Sequence, residues 1–122
     1  MKKIMEQRYP EYFDRLKGLL GKMGQELEGP MAAFWQMHKQ AFSDGALTTK
    51  TKELITLAIC ITSLCEGCIA VHVRSALRAG ATRQEIAEAI GVAIYMGGGP
   101  AVVFGCMALE ALEQFEALEA VA

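Results

Sequence analysis

Apolar positions in this chain recur at helical spacing from one punctuation signal to the next, and the alternation of a half-buried strand is scarce. The pattern predicts an all-α fold of about six helices. Pro10 opens the first, in which Tyr12, Phe13, Leu16, Leu19, Leu20, Met23 and Leu27 share a face opposite the charges until Glu28-Gly29 closes it. Pro30 restarts the pattern, and Phe34, Trp35, Met37, His38 and Phe42 carry it to a stop at Ser43-Asp44-Gly45. A third helix, from about Thr49 to Leu64, holds Leu54, Ile55, Leu57, Ala58, Ile59 and Ile61. It is apolar almost all round, as a central buried helix is expected to be.

After Cys65-Glu66-Gly67-Cys68 a fourth helix runs through His72 and Leu77 to a C-terminal glycine, Gly80. Thr82 and Glu85 have the spacing of a capping box and open a fifth helix that reaches Met96, and Pro100 begins a sixth. In the tail, Leu109, Leu112, Phe115 and Leu118 alternate with Glu110, Glu113, Glu116 and Glu119. A strict three-residue spacing drifts around a helix of 3.6 residues per turn, so this tail is expected to lack a fixed apolar face and to fray or cross a neighbouring subunit.

No charged residue stands between Ala89 and Leu109, a run long enough to raise the question of a membrane span. Gly97, Gly98, Gly99 and Pro100 interrupt it, and two buried helices joined by a tight turn fit better than one span. At 122 residues the chain is expected to form one domain, residues 1–122. Its composition, 52% hydrophobic and 21% charged, leaves apolar surface for a partner copy, so a homo-oligomer is expected. A net charge of -2 with no dense Lys/Arg cluster excludes a nucleic-acid footprint. The start, MKKIMEQRYPEYF, lacks the apolar run of a secretory signal, which points to the cytoplasm.

The chemistry concentrates in CEGCIAVH, where Cys65, Cys68 and His72 are spaced C-x-x-C-x-x-x-H. At a helix start both sulfurs lie near unpaired N–H groups and the positive end of the dipole, which favours the reactive thiolate. His72 falls on the same face one turn beyond Cys68 and can carry a proton. Two cysteines separated by two residues can close a small disulfide ring, so either can resolve a mixed disulfide or sulfenic acid on the other. Glu53, at the polar start of the third helix, has eleven residues between it and Cys65.

With Glu53 included, the chain resembles the alkyl hydroperoxidase D and carboxymuconolactone decarboxylase-like superfamily, whose redox members carry E-x11-C-x-x-C-x-x-x-H. The resemblance covers about residues 46–112, including KELITLAI before the cysteines and the AGAT turn and GGGPA after them. It implies an all-helical fold, hydroperoxidase or disulfide reductase activity fed by a dithiol reductant, and homo-oligomers that are often hexamers. By residue it implies that Cys65 and Cys68 are the redox pair, His72 the proton-transfer group and Glu53 the distal carboxylate of a relay. The decarboxylase branch lacks the thiol pair, which argues against lactone decarboxylation here. If the third and fourth helices are straight and antiparallel, Glu53 and His72 are left about 8 Å apart along the axis. A bend, a steep crossing or another subunit must close that gap.

Competing readings are weaker. Cys65, Cys68 and His72 with Glu53 or Cys60 could supply four zinc ligands, but no second pair with ligand spacing appears. A non-catalytic oligomeric module is the blander alternative. Cys60 and Cys106, in apolar runs, read as small core residues, and His38 as a partly exposed helix residue or subunit contact. No Rossmann, Walker or haem-attachment sequence is present, so neither a bound organic cofactor nor a resident metal is expected.

Overall fold

A computed structural model describes residues 7–121, so about half of the start considered for a secretory signal lies outside the described residues. The described residues form six helices and no strand: α1 (Tyr9–Glu26), α2 (Glu28–Phe42), α3 (Thr49–Thr62), α4 (Glu66–Arg78), α5 (Arg83–Gly97) and α6 (Gly99–Val121). The first break is tighter than the sequence suggests. Only Leu27 separates α1 from α2, and Gly29 and Pro30 fall inside the first turn of α2, where a proline costs no hydrogen bond.

The centre of the fold is α3, which packs most extensively on α4 and α5. Leu57 and Ile61 from α3 meet Ile69 and Val73 of α4, Ile86 of α5 and Leu112 of α6 in a fully buried cluster. Each such side chain contributes about 1.5–3 kcal/mol relative to exposure. Yet α3 is not buried all round, since Ile55 and Ile59 are 46% and 56% exposed. Much of the apolar stripe of α1 is likewise exposed at Leu19, Met23 and Leu27, and α2 buries no residue at all.

Local signals hold where their chemistry is short-ranged. The Thr82 side chain accepts from the Glu85 N–H, and the Glu85 carboxylate accepts from the Thr82 N–H at 2.8 Å, so the capping box forms. Gly98 alone joins α5 to α6, at φ +69 and ψ -150, a backbone region essentially reserved for glycine. A Cβ on neighbouring Gly97 would sit 2.6 Å from the Ala101 Cβ, so both glycines are needed for the turn. No helix among the described residues is long and apolar enough to cross a membrane.

The expectation that the tail frays is corrected. α6 is continuous to Val121, and it buries Ala108, Ala111, Leu112 and Phe115. Alanines at 108 and 111 supply the face that the leucine–glutamate spacing lacks, and Arg83 reaches from α5 to Glu113 and Glu116. Small residues pack as well as large ones where helices approach closely, and a count of large apolar side chains overlooks them.

Candidate functional site

The site begins with how α3 stops. The Leu64 N–H bonds the Ile61 carbonyl and the Cys65 N–H bonds the Cys60 carbonyl, each at 3.1 Å, and this paired stop requires a left-handed residue at position 64. Leu64 supplies it at φ +57. The end of α4 uses the same device with Gly80 at φ +95. A leucine costs about 1–2 kcal/mol more than glycine in this conformation. The result is that Cys65 completes the stop of α3 and is at once the N-cap of α4, with no linker between.

The Cys65 Sγ accepts a hydrogen bond from the Cys68 N–H at 3.3 Å, so it lies at the positive end of α4. The two sulfurs are joined to each other, with Cα atoms 5.2 Å apart. One turn further on, His72 Nδ1 meets Glu53 Oε1 at 2.8 Å within a single chain. Their side chains are 17% and 7% exposed, and Glu53 is the one buried charged residue among those described. With the carboxylate ionised, Nδ1–H donates to it and Nε2 is left as the proton-accepting atom.

The expected axial gap closes because α3 stops at Thr62 rather than Leu64. Counted from the helix ends, Glu53 lies about 13.5 Å back along α3 and His72 about 9 Å along α4. The remainder, roughly 4–5 Å, is within reach of two side chains. Neither a kink nor a second subunit is required for this contact.

Phe42, from the C-terminal turn of α2, stacks on His72 with ring centroids 6.1 Å apart and planes 14° apart. Its other neighbour is His38, stacked on it at 4.5 Å. The half-buried His38 is thus removed from His72 by one aromatic layer. Sequence reasoning placed Phe42 in α2 without connecting it to the site; its helical spacing from His38 was the available signal.

On the opposite side α1 covers the first turn of α4, between the cysteines. A Cβ on Gly67 would lie 3.4 Å from both Tyr12 Oη and Leu16 Cδ2. The buried Tyr9 donates its hydroxyl to Glu66 Oε2 at 3.0 Å. Neither Tyr9 nor Glu66 was singled out from sequence, and a contact spanning 57 residues leaves no local pattern to read.

The two remaining cysteines differ. Cys60 is buried, and burial, with the Glu53 charge adding to it, pushes its thiol up to about 11, so it remains a neutral core thiol. Cys106 is exposed, which corrects its reading as a core residue. Its apolar neighbours in sequence, Val102 and Val103, are themselves on the surface. Among the described residues no three His, Cys, Asp or Glu side chains converge as a metal would need.

Fold and site together define an all-helical protein with a cysteine pair at a helix start and a buried carboxylate–imidazole pair one turn behind it. The Carboxymuconolactone decarboxylase family model matches residues 29–113, and the chain belongs to that family. An uncharacterised protein of Cupriavidus necator is 40% identical over 82% of this chain and 86% of its own length. Among solved structures, a carboxymuconolactone decarboxylase family protein from Legionella pneumophila superimposes with a TM-score of 0.86 at 37% identity, covering 90% of this chain and 98% of its own. A family member from Thermotoga maritima, described as a candidate participant in an antioxidative response, gives a TM-score of 0.81 at 26% identity, covering 88% and 92%.

Proposed function

We propose that this chain is a thiol-dependent oxidoreductase that reduces hydroperoxides or disulfides, with Cys65 and Cys68 as its redox pair and His72 and Glu53 as its proton relay. The observation that carries the reading is the 2.8 Å contact between Glu53 and His72, on the helix whose start holds both sulfurs. In the reduced form, His72 Nε2 takes the proton of the Cys65 thiol. The thiolate attacks the terminal oxygen of a hydroperoxide: the S–O bond forms, the O–O bond breaks, and the alkoxide leaves as alcohol with the proton from His72.

Cys68 then displaces the hydroxyl of the sulfenic acid, closing the disulfide, and its proton leaves with that hydroxyl as water. An external dithiol returns two electrons by exchange through a mixed disulfide. The Cys68 N–H on Cys65 Sγ supports Cys65 as the attacking thiol. The thiol pair is also why the family's decarboxylase chemistry is the poorer fit.

Thiol titration with metal analysis tests the reading. Addition of one equivalent of an alkyl hydroperoxide to the reduced protein is expected to remove two thiols, restored by a dithiol such as dihydrolipoamide, with Cys65→Ser and Cys68→Ser both inactive. Stoichiometric zinc on the pair, or four thiols unchanged by peroxide, would overturn it. We further propose a homo-oligomer, a hexamer by the family resemblance, supported by the exposed apolar side chains Val92, Tyr95 and Met96 of α5 and Val102 and Val103 of α6.

A further inference from the structure

Tyr9 is an unusual use of a phenol. It is 1% exposed, its backbone N–H is fixed by Gln114 Oε1 at 2.7 Å, and Gln114 in turn donates to the Gln7 carbonyl at 2.8 Å. This ties the start of α1 to α6 and leaves the hydroxyl aimed at a single acceptor, Glu66, which stands between the two redox cysteines. Leu16 and Tyr12 cover the same helical turn at Gly67. Resting on the redox reading above, we propose that Tyr9 and Glu66 are a positioning pair that fixes a carboxylate beside the thiols and sets the reduction potential of Cys65 and Cys68.

Reduction converts a neutral disulfide into two groups that can ionise, and a fixed negative charge one residue from Cys65 and two from Cys68 disfavours their thiolates. It therefore favours the disulfide, making the couple more reducing wherever the thiols ionise. Glu66 also occupies the first turn of α4, where a free carboxylate competes with the thiolate for the positive helix end. Tyr9 decides where that charge sits. Burial and the Glu66 carboxylate push its phenol well above the usual tyrosine range, so it stays a neutral donor while the thiols titrate. The other ionisable groups bearing on this phenol are Glu110 of α6 and Tyr12 of α1, while His72, paired with Glu53, stands one turn along α4 from Cys68.

By Coulomb's law, any unit charge held about 8 Å from a thiolate at an effective dielectric of about 20–40 changes its equilibrium roughly fivefold to thirtyfold. Glu66→Gln is therefore expected to lower the apparent pKa of the attacking thiol. Near pH 9 it is expected to shift the disulfide–dithiol equilibrium against dithiothreitol about tenfold toward the dithiol, or roughly 30 mV. Near pH 5, where protonated thiols make up more of the reduced form, the shift is expected to be smaller. Tyr9→Phe, which frees the carboxylate to turn to solvent, is expected to move both quantities the same way by a smaller factor, and to add nothing in the Glu66→Gln background.

The experiment measures thiol pKa by ultraviolet thiolate absorbance, and potential by dithiothreitol equilibration at both pH values, for wild type, the two single variants and the double. A wild-type chain that cycles two thiols, while Glu66→Gln leaves pKa and potential unchanged at pH 9, overturns this inference and leaves the redox reading standing. A wild-type chain that does not cycle removes both. Lower melting temperatures with unmoved potentials would reduce the pair to a structural tie. Because Glu66→Gln leaves the buried phenol with an acceptor, it remains informative if Tyr9→Phe fails to fold.

Discussion

Replacing Glu53 by glutamine isolates the charge of the carboxylate from its shape, because the amide oxygen can still accept from His72 Nδ1–H. Both side chains of the pair are well shielded, so solvent screens the contact little. A hydrogen bond to a charged group contributes about 1.5–3 kcal/mol and a neutral one about 0.5–1.5. The difference, about 1–1.5 kcal/mol, corresponds to roughly a tenfold loss in rate if it is felt in the proton-transfer step. His72→Gln removes the proposed proton carrier itself, and general acid–base assistance is typically worth about 10²- to 10⁴-fold.

If Glu53 acts through His72, as proposed, the double variant should be no slower than His72→Gln alone. The assay is stopped-flow reduction of an alkyl hydroperoxide by pre-reduced protein, below saturation and at fixed pH, with melting curves alongside. Losses that multiply in the double variant would refute the serial relay. A Glu53→Gln protein that melts lower but reacts at the wild-type rate would assign the carboxylate a structural role only.

Thr82→Ala should cost about 1 kcal/mol, read as a lower denaturation midpoint, through loss of the capping box at the start of α5. Cys60 should resist alkylation in the folded protein at pH 8. Its thiol ionises near pH 9 when unfolded and only near 11 when folded, so the native state holds the extra proton in between. Stability should therefore fall as pH rises from about 9 to about 11, less steeply in Cys60→Ala, as equilibrium denaturation at stepped pH would reveal. Val103→Glu, on an exposed face of α6, should dissociate subunits without loss of helicity, and a wild-type monomer sedimenting alone at micromolar concentration would remove the premise.

Much of the fold and the ends of the site were legible because their signals are local. Thr82 and Glu85, the Gly80 stop, the glycine-proline break before α6 and the C-x-x-C-x-x-x-H spacing each express their geometry within a few residues. What escaped depends on contacts distant in sequence. Ile55 and Ile59 face outward on a helix that reads as apolar all round, since hydropathy does not distinguish a core face from a face left to a partner. How Glu53 reaches His72 stayed open because it depends on a left-handed Leu64, and leucine is a residue from which no such turn is expected. Phe42, Tyr9 and Glu66 meet the site across 30 or more residues or from inside the motif's variable positions, where spacing carries no information.

A redox pair must also be able to lose its disulfide without losing its fold, and the placement of these sulfurs meets that requirement. The bridge joins residues with a sequence separation of 3, so it closes a ring within the first turn of α4. Chain entropy for so small a loop is worth about 2 kcal/mol at most. The packing of α3 on α4 rests instead on Leu57, Ile61, Ile69 and Val73, all fully buried and together worth several times that amount, at about 1.5–3 kcal/mol each. The Cys65 N–H bond to Cys60 and the bond from His72 to Glu53 do not involve a sulfur, so they are expected to persist on reduction. The reduced protein is therefore expected to keep its helical circular dichroism and to lose no more than about 2 kcal/mol of stability. Cooperative unfolding on addition of dithiothreitol would make the bridge a structural staple, a role incompatible with the turnover proposed for it.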